Sequence, residues 1–329
     1  IKLAFCWNFY SPLRFPEITM LLKSLRNVAT DKGTVSGLLQ WASTLLNNHH
    51  IDTPRLDAEI LLSHILGCER ITLYTHPSKP LKDDIIALYE SVIQRRAQRF
   101  PLQYITHRAE FMSLDFYVDE RVLIPRPETE VLVEAVIKRS QTLSGIREIV
   151  IVDIGTGSGN IAVTLAKQLK NARIFAVDIS PDALAVAKIN AQKHEVSNKI
   201  IFLCGDTFRP IEELGTIVQA HFIVSNPPYV ANDEFPLLQE EVRDFEPYTA
   251  LVSGQDGLQA FKRIIAEVHP WLKPGGFIAF EVGEKQAQRV SQLLQNTGLF
   301  THIECLHDYQ QIPRIVVAQM EEYCGQNRH

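Results

Sequence analysis

The stretch IVIVDIGTGSG, Ile149–Gly159, decides the fold. Its first half is a short run of β-branched apolar residues closed by an aspartate. Its second half alternates glycine with small polar residues. A short apolar run before a turn reads as a buried strand, and the glycines permit a tight turn that a ligand can approach closely. The same pattern recurs downstream: strand-like runs at 174–177, 200–204, 222–225 and 277–282 alternate with helix-like runs at 161–169, 182–193, 257–272 and 285–296. Ser180-Pro181 supplies an N-cap and a first-turn proline for the second of these helices. Such alternation predicts a parallel sheet with helices on both faces. Two more strands, 301–306 and 314–319, have no helix between them, so the second is expected to return antiparallel to its neighbour.

Upstream the pattern changes. Over 35–48 apolar residues recur with helical spacing (Val35, Leu38, Leu39, Ala42, Leu45, Leu46). Thr53-Pro54 opens a second helix, with Thr53 as N-cap, that stops at Gly67. A third is expected over 83–99, ending in Arg95, Arg96 and Arg99, which read as a solvated face or, more sharply, as a partner-docking patch. Residues 101–124 carry short strand-like stretches around Phe111, Leu114, Phe116, Val118, Val122 and Leu123 and read as a β-hairpin linker. Pro125-Arg126-Pro127 ends extended structure, and 128–140 reads as a helix.

Ligands of such sheets bind beyond the carboxyl ends of the strands. The Gly155-Thr156-Gly157-Ser158-Gly159 turn lies there, but its Gly-x-Gly-x-Gly spacing is not the Gly-x-Gly-x-x-Gly of dinucleotide enzymes, and no Gly-Lys-Ser/Thr follows for a nucleoside triphosphate. Asp178 ends the second strand 19 residues after Gly159, where a carboxylate can accept from ribose hydroxyls. Asp206 ends the third strand, placed to bond an adenine amine, with Thr207 beside it to line the adenine pocket. Together these residues point to a nucleoside-containing cofactor, and the missing phosphate features favour S-adenosylmethionine over NAD. After the fourth strand comes Ser225-Asn226-Pro227-Pro228-Tyr229. Two prolines fix φ and remove two backbone donors, so carbonyls stay available as acceptors. A planar nitrogen with two hydrogens can give one to the Asn226 side-chain oxygen and one to the Pro227 carbonyl, while Tyr229 can stack on its flat face. An amide nitrogen is a poor nucleophile, and alignment is what such a site can add. No general base stands in the loop.

Composition narrows the alternatives. The chain has 329 residues, 46% hydrophobic and 22% charged, as for an ordinary globular protein of up to two domains. Net charge is −5, with 13 basic and 10 acidic side chains in residues 1–110 and 20 and 28 in the rest. A protein that tracks phosphates would carry a basic excess, so nucleic acid is not the expected substrate. Five cysteines without a Cys-x-x-Cys pair (Cys6, Cys68, Cys204, Cys305, Cys324) argue against a disulfide framework or a zinc site and fit a reducing, cytoplasmic compartment, most of them as buried apolar groups. The scattered histidines form no His-Glu-x-x-His zinc pattern, Gly-x-Ser-x-Gly is absent, and no metal is expected. No apolar run reaches the ~18 residues of a membrane span. Residues 1–20 begin with Ile, are aromatic-rich and hold two prolines. They read as a tail, an organellar targeting segment or a leader before an alternative start at Met20.

With those residues in view, the chain resembles the release-factor glutamine methyltransferases, the HemK/PrmC family. The likeness runs from about Val35 to Gln319 and includes PLQYIT from Pro101, Ala109-Glu110-Phe111, LIPRPETE over 123–130, Asp153–Gly159 and Asn226–Tyr229. It implies an α/β fold: a Rossmann-like class I methyltransferase seven-stranded sheet with a small N-terminal helical domain and a β-hairpin linker. The corresponding division is 1–33 an unassigned extension, 34–100 a helical substrate-docking domain, 101–124 the linker and 125–322 the S-adenosylmethionine-dependent methyltransferase domain. The implied substrate is the glutamine of the Gly-Gly-Gln loop in class 1 peptide-chain release factors, methylated on its side-chain amide nitrogen; separately, no apolar helix face is left without a home, so a monomer is the default expectation. Gly155–Gly159, Asp178, Asp206 or Thr207, and Asn226 would contact the cofactor. Asn226, Pro227, Pro228 and Tyr229 would hold the glutamine, and Phe111 with 126–130 would shape the pocket. Two departures stand out: His107 occupies a glycine position of the family pattern, and 308–313 lacks the glycine common between the last strands. The loop after the fourth strand is shared with amine methyltransferases acting on DNA and RNA, so an exocyclic-amine methyltransferase for adenine or guanine is the alternative enzyme. Base chemistry in a duplex requires flipping the base, and neither a basic groove nor a target-recognition domain is evident. A silent scaffold that binds cofactor and factor is the alternative from another class.

Overall fold

The computed structural model describes residues 32–143, 145–215 and 218–322. Readings of residues 1–20, of Met20 as a start, and of Cys6 and Cys324 lie outside the described residues. The chain divides into two units after Leu102.

In the first unit, α1 (Val35–Asn48), α2 (Pro54–Leu66), α3 (Arg70–Thr75) and α4 (Asp83–Ala97) bury Leu38, Leu39, Leu46, Leu61, Leu62 and Ile93. The buried Tyr89 ties α4 to α2, its hydroxyl donating to the Ala58 carbonyl at 2.8 Å. Gly67 ends α2 in the left-handed conformation, φ 59°. Thr53 stands at the N-cap position of α2, but its hydroxyl donates to Asp57 Oδ1 at 2.7 Å and caps no amide. The arginine cluster at the end of α4 is not one exposed patch. Arg96 turns inward to Asp57 at 2.7 Å, with both side chains buried. Arg95 lies over the Phe100 ring at 4.1 Å, and Arg99 donates to the His50 carbonyl at 3.0 Å.

The division falls within the first turn of α5 (Leu102–Thr106), so the segment expected to be all hairpin begins as a helix. The hairpin is short: β1 (Ala109–Phe111) pairs antiparallel with β2 (Leu114–Phe116). Its turn residues Met112 and Ser113 both have positive φ, 50° and 59°. His107, in the glycine position, also has positive φ at 52°. Its ring stacks on Tyr117 at 5.3 Å and its Nδ1 lies 3.2 Å from the Val118 carbonyl, which offsets the steric cost of that conformation.

Then follow α6 (Glu128–Ser140), β3 (Ile149–Ile154), α7 (Asn160–Gln168), β4 (Ala172–Asp178), α8 (Pro181–Lys193), β5 (Ile200–Cys204), β6 (Ala220–Ser225), α9 (Gln259–Glu267), β7 (Leu272–Glu281), α10 (Ala287–Asn296), β8 (Phe300–His307) and β9 (Pro313–Met320). The seven large strands form one sheet in the order β5-β4-β3-β6-β7-β9-β8. β3 to β7 are parallel, and β9 runs antiparallel to both β7 and β8. The helix expected over 257–272 ends at Glu267, because β7 already starts at Leu272.

Successive strand residues face opposite sides, which separates two cores. Ile151, Ile174, Phe222 and Val224 pack with α6 and α7 on one face, while Val152, Phe175, Ile223 and Phe280 pack with α9 and α10 on the other. Burial on both faces is why these strands read as continuous apolar runs. The cysteines depart from expectation: Cys68 is half-buried, and Cys204 and Cys305 are exposed, because β5 and β8 are the sheet's edges. The chain leaves β3 towards β4 and β5 and returns to β6 on its other side, which opens a crevice at the carboxyl ends of β3 and β6.

Candidate active site

A cavity of about 410 Å³ lies at that crevice, a normal size for a small-molecule site. Four successive loops reach it: Gly155–Ser158 after β3, Asp178 at the end of β4, Asp206 and Thr207 after β5, and Asn226, Pro227 and Pro228 after β6. Arg126, Thr129 and Tyr248 line it as well.

The glycine turn is shaped by its neighbours. The amides of Gly155 and Thr156 both donate to the Val177 carbonyl, at 2.8 and 3.0 Å, binding the turn to β4. Gly159 caps α7 with φ 79°, and a Cβ there would lie 3.1 Å from that of Ala187, so this glycine permits close packing of α7 and α8. Gly157 has φ 55°, and a Cβ on it would meet no atom of the protein within 4 Å. That open space beside the backbone is room for a ligand.

Asp178 fastens the turn from the other side. One carboxylate oxygen accepts from the Gly157 amide at 2.8 Å and the other from the Ser180 amide at 2.9 Å. Burial pushes its carboxyl above the ordinary range, against the pull of those amides. Each oxygen keeps a lone pair for a hydroxyl. Asp206 pairs with Arg263, and Thr207, with φ 47°, donates its hydroxyl to Glu267 at 2.5 Å. Asp153, ending the apolar run of β3, accepts from the Thr156 hydroxyl at 2.6 Å. Its other oxygen is buried without a hydrogen-bond partner, and burial pushes its pKa up to about 7.

The loop after β6 is held at several points. Ser225 donates to the Ile154 carbonyl at 2.6 Å. Asn226 Nδ2 donates to Thr129 Oγ1 at 3.2 Å, and Thr129 donates to Glu281 at 2.5 Å. The Tyr229 carbonyl accepts from Gln286 at 2.8 Å, and a Cβ on Gly257 would lie 2.3 Å from that carbonyl oxygen. Tyr229 is not part of the cavity wall. Its half-buried ring packs against Gly283, and burial pushes its hydroxyl pKa up. Phe111 is also away from the wall, buried edge-on against Phe116 at 6.0 Å. Of residues 126–130 only Arg126 and Thr129 line the cavity, and the other expected cofactor and loop residues all do except Gly159, which works through helix packing.

Three residues contribute through partners that the sequence did not show. Arg126 forms a largely buried pair with Glu246 at 2.6 Å, and Glu246 also accepts from the Ile124 amide at 3.1 Å. Thr129 was expected only as part of the 126–130 segment that shapes the pocket, without its bonds to Asn226 and Glu281. Glu281 is 1% exposed and closes the apolar run Phe277–Phe280 at the end of β7. A lone acidic residue at that point was the signal available. Among the described residues no group of three or more His, Cys, Asp or Glu is arranged to hold a metal, and no helix is long and apolar enough to cross a membrane.

A seven-stranded sheet with one reversed strand, glycine turn and acidic strand ends define a class I methyltransferase, an enzyme class that uses S-adenosylmethionine. The family described as methyltransferase domain matches residues 147–327, and the PrmC N-terminal domain matches residues 37–106. The release factor glutamine methyltransferase of Clostridium acetobutylicum is 41% identical over 262 residues, covering 80% of this chain and 90% of that protein. That of Koribacter versatilis is 42% identical over 269 residues, covering 81% and 91%. A solved structure of the hMettl16 catalytic domain in complex with MAT2A 3′UTR hairpin 6 shares the fold, with a TM-score of 0.50 at 16% identity over 76% of this chain and 87% of that one. The chain belongs to the release factor glutamine methyltransferase family. It is an S-adenosylmethionine-dependent protein methyltransferase.

Proposed function

We propose that this enzyme methylates the side-chain amide nitrogen of the glutamine in the Gly-Gly-Gln loop of class 1 peptide-chain release factors. The observation that carries this reading is that the glycine turn after β3 and Asn226-Pro227-Pro228 after β6 open into one cavity. Gly155, Gly157 and Asp178 would hold the cofactor, Gly157 by leaving space for it and Asp178 by accepting from ribose hydroxyls. Asp206 and Thr207 would border the adenine. The cofactor supplies an activated methyl on a sulfonium.

The chain's own task is then alignment. Asn226 Oδ1 and the Pro227 carbonyl accept the two amide hydrogens of the glutamine, which orients its nitrogen. Neither proline has an amide N–H to compete. Tyr229 lies outside the cavity wall and serves through its carbonyl, which anchors the loop by accepting from Gln286. Holding reactants this way supplies roughly 7–11 kcal/mol of a barrier. The helical unit that matches the PrmC N-terminal domain docks the release factor.

The test is methyl transfer from labelled S-adenosylmethionine to three acceptors: an intact release factor, its Gln→Ala variant in the Gly-Gly-Gln loop, and mixed nucleic acid. Label on the intact factor alone is the expected result. Label on nucleic acid, or equal label on the Gln→Ala variant, overturns the reading.

A further inference from the structure

Asn226 ends a chain of hydrogen bonds built from three distant stretches of sequence. Its Nδ2 donates to Thr129 Oγ1 at 3.2 Å, and Thr129 donates to Glu281 Oε2 at 2.5 Å. Thr129 lies in the first turn of α6 and Glu281 at the end of β7, and each is 1% exposed. A hydroxyl has a single proton. Once that proton is given to the Glu281 carboxylate, the Thr129 oxygen offers only lone pairs, so only the NH₂ end of the Asn226 amide can face it. Asn226 Oδ1 must then point the other way. The two ends of an amide have nearly the same size, so packing alone would not select one flip over the other.

We infer that Thr129 and Glu281 are positioning residues that fix the flip of Asn226 and present its Oδ1 as an acceptor for the N–H of a planar substrate nitrogen. The inference rests on the reading that Asn226 receives the glutamine amide. With the opposite flip, Asn226 would turn its own N–H towards the substrate's N–H and the acceptor would be lost.

The device is sensitive to protonation. Glu281 faces Glu128 and Arg126 beside the start of α6, Arg314 on β9 and Tyr229 in the loop after β6. Burial is the main influence and pushes its pKa up to about 7, Glu128 adds to that, and Thr129, Arg314 and Arg126 pull the other way. A protonated Glu281 can donate to Thr129, whose own proton can then turn onto Asn226 Oδ1. Both flips then coexist, so kcat is expected to fall as pH drops through the region near 7.

Steady-state kinetics of Thr129→Val, Thr129→Ser and Glu281→Gln test this. Thr129→Val should lower kcat about tenfold to hundredfold, the scale of a misaligned reactant, with KM for the cofactor within about twofold. Thr129→Ser should bring kcat back to within about threefold of the parent. Glu281→Gln can still accept from Thr129 but cannot ionise, so the acid limb of the kcat–pH profile should disappear. A substrate-free readout accompanies these: the side-chain ¹⁵N amide signal of Asn226, identified by its loss in Asn226→Ala. It should move with pH near 7 in the parent and stay still in Glu281→Gln. Equal kcat for Thr129→Val and Thr129→Ser, an acid limb that survives in Glu281→Gln, or an amide signal indifferent to both sites overturns the inference. If the release factor is not methylated while the amide signal behaves as stated, the substrate reading fails and the positioning device stands.

Discussion

Asp178 serves the fold and, on the proposed reading, the cofactor as well. Its two oxygens already hold the amides of Gly157 and Ser180, so it shapes the turn before any cofactor arrives. Hydrogen bonds to a charged group are each worth roughly 1.5–3 kcal/mol. Asp178→Asn is therefore expected to weaken cofactor binding by about tenfold to a hundredfold in titration calorimetry. Unchanged affinity would remove Asp178 from the cofactor site. The aspartate was legible in the sequence because it closes an apolar strand at a telling distance from the glycines. Glu281 closes a strand in the same way, but its value depends on Thr129, a residue 152 positions away, and no spacing rule connects the two.

At the scale of the element, the turn from β3 into α7 separates two uses of glycine. Gly159 must be small because α8 lies against it, whereas Gly157 must be small because the cavity does. Both have positive φ, which costs an alanine roughly 1–2 kcal/mol. Gly159→Ala adds crowding against Ala187, so its denaturant midpoint should fall further, by ~1–3 kcal/mol of overpacking. Gly157→Ala should lose mainly cofactor affinity. Comparing urea unfolding with cofactor titration for both variants checks the division, and equal unfolding midpoints would contradict it. The strands and most helices could be read because burial on two faces imposes continuous apolar runs and burial on one face imposes helical spacing. The turns were less legible. Gln311, with φ 64° in the loop after β8, takes a left-handed conformation without a glycine to announce it, helped by Asp308 accepting from the Gln310 and Ile312 amides at 2.8 and 2.9 Å.

For the molecule as a whole, buried carboxyls couple stability to pH. Burial raises Asp153 and Glu281 from ordinary values of 3.8 and 4.5 to about 7. Both groups bind a proton more tightly in the folded protein than in the unfolded chain. Their contribution is fully present below about pH 4 and is lost as pH rises towards 7. Asp153→Asn cannot ionise, so its melting temperature relative to the parent should improve from pH 5 to about pH 7 and then level off by pH 8. A constant difference across that range would show that Asp153 stays charged in the fold.

The order of the strands has a consequence for how the enzyme is made. β9 lies between β7 and β8, yet it leaves the ribosome after both. Until residue 320 has emerged, β7 keeps a bare edge and β8 has no neighbour to join, because among the described residues its strand partner in the finished sheet is β9 alone. Open edges of this kind are templates for pairing with other chains. A polypeptide stalled before residue 313 is thus poised to aggregate, and the strand that carries Glu281 gains its second neighbour only after β9 has emerged.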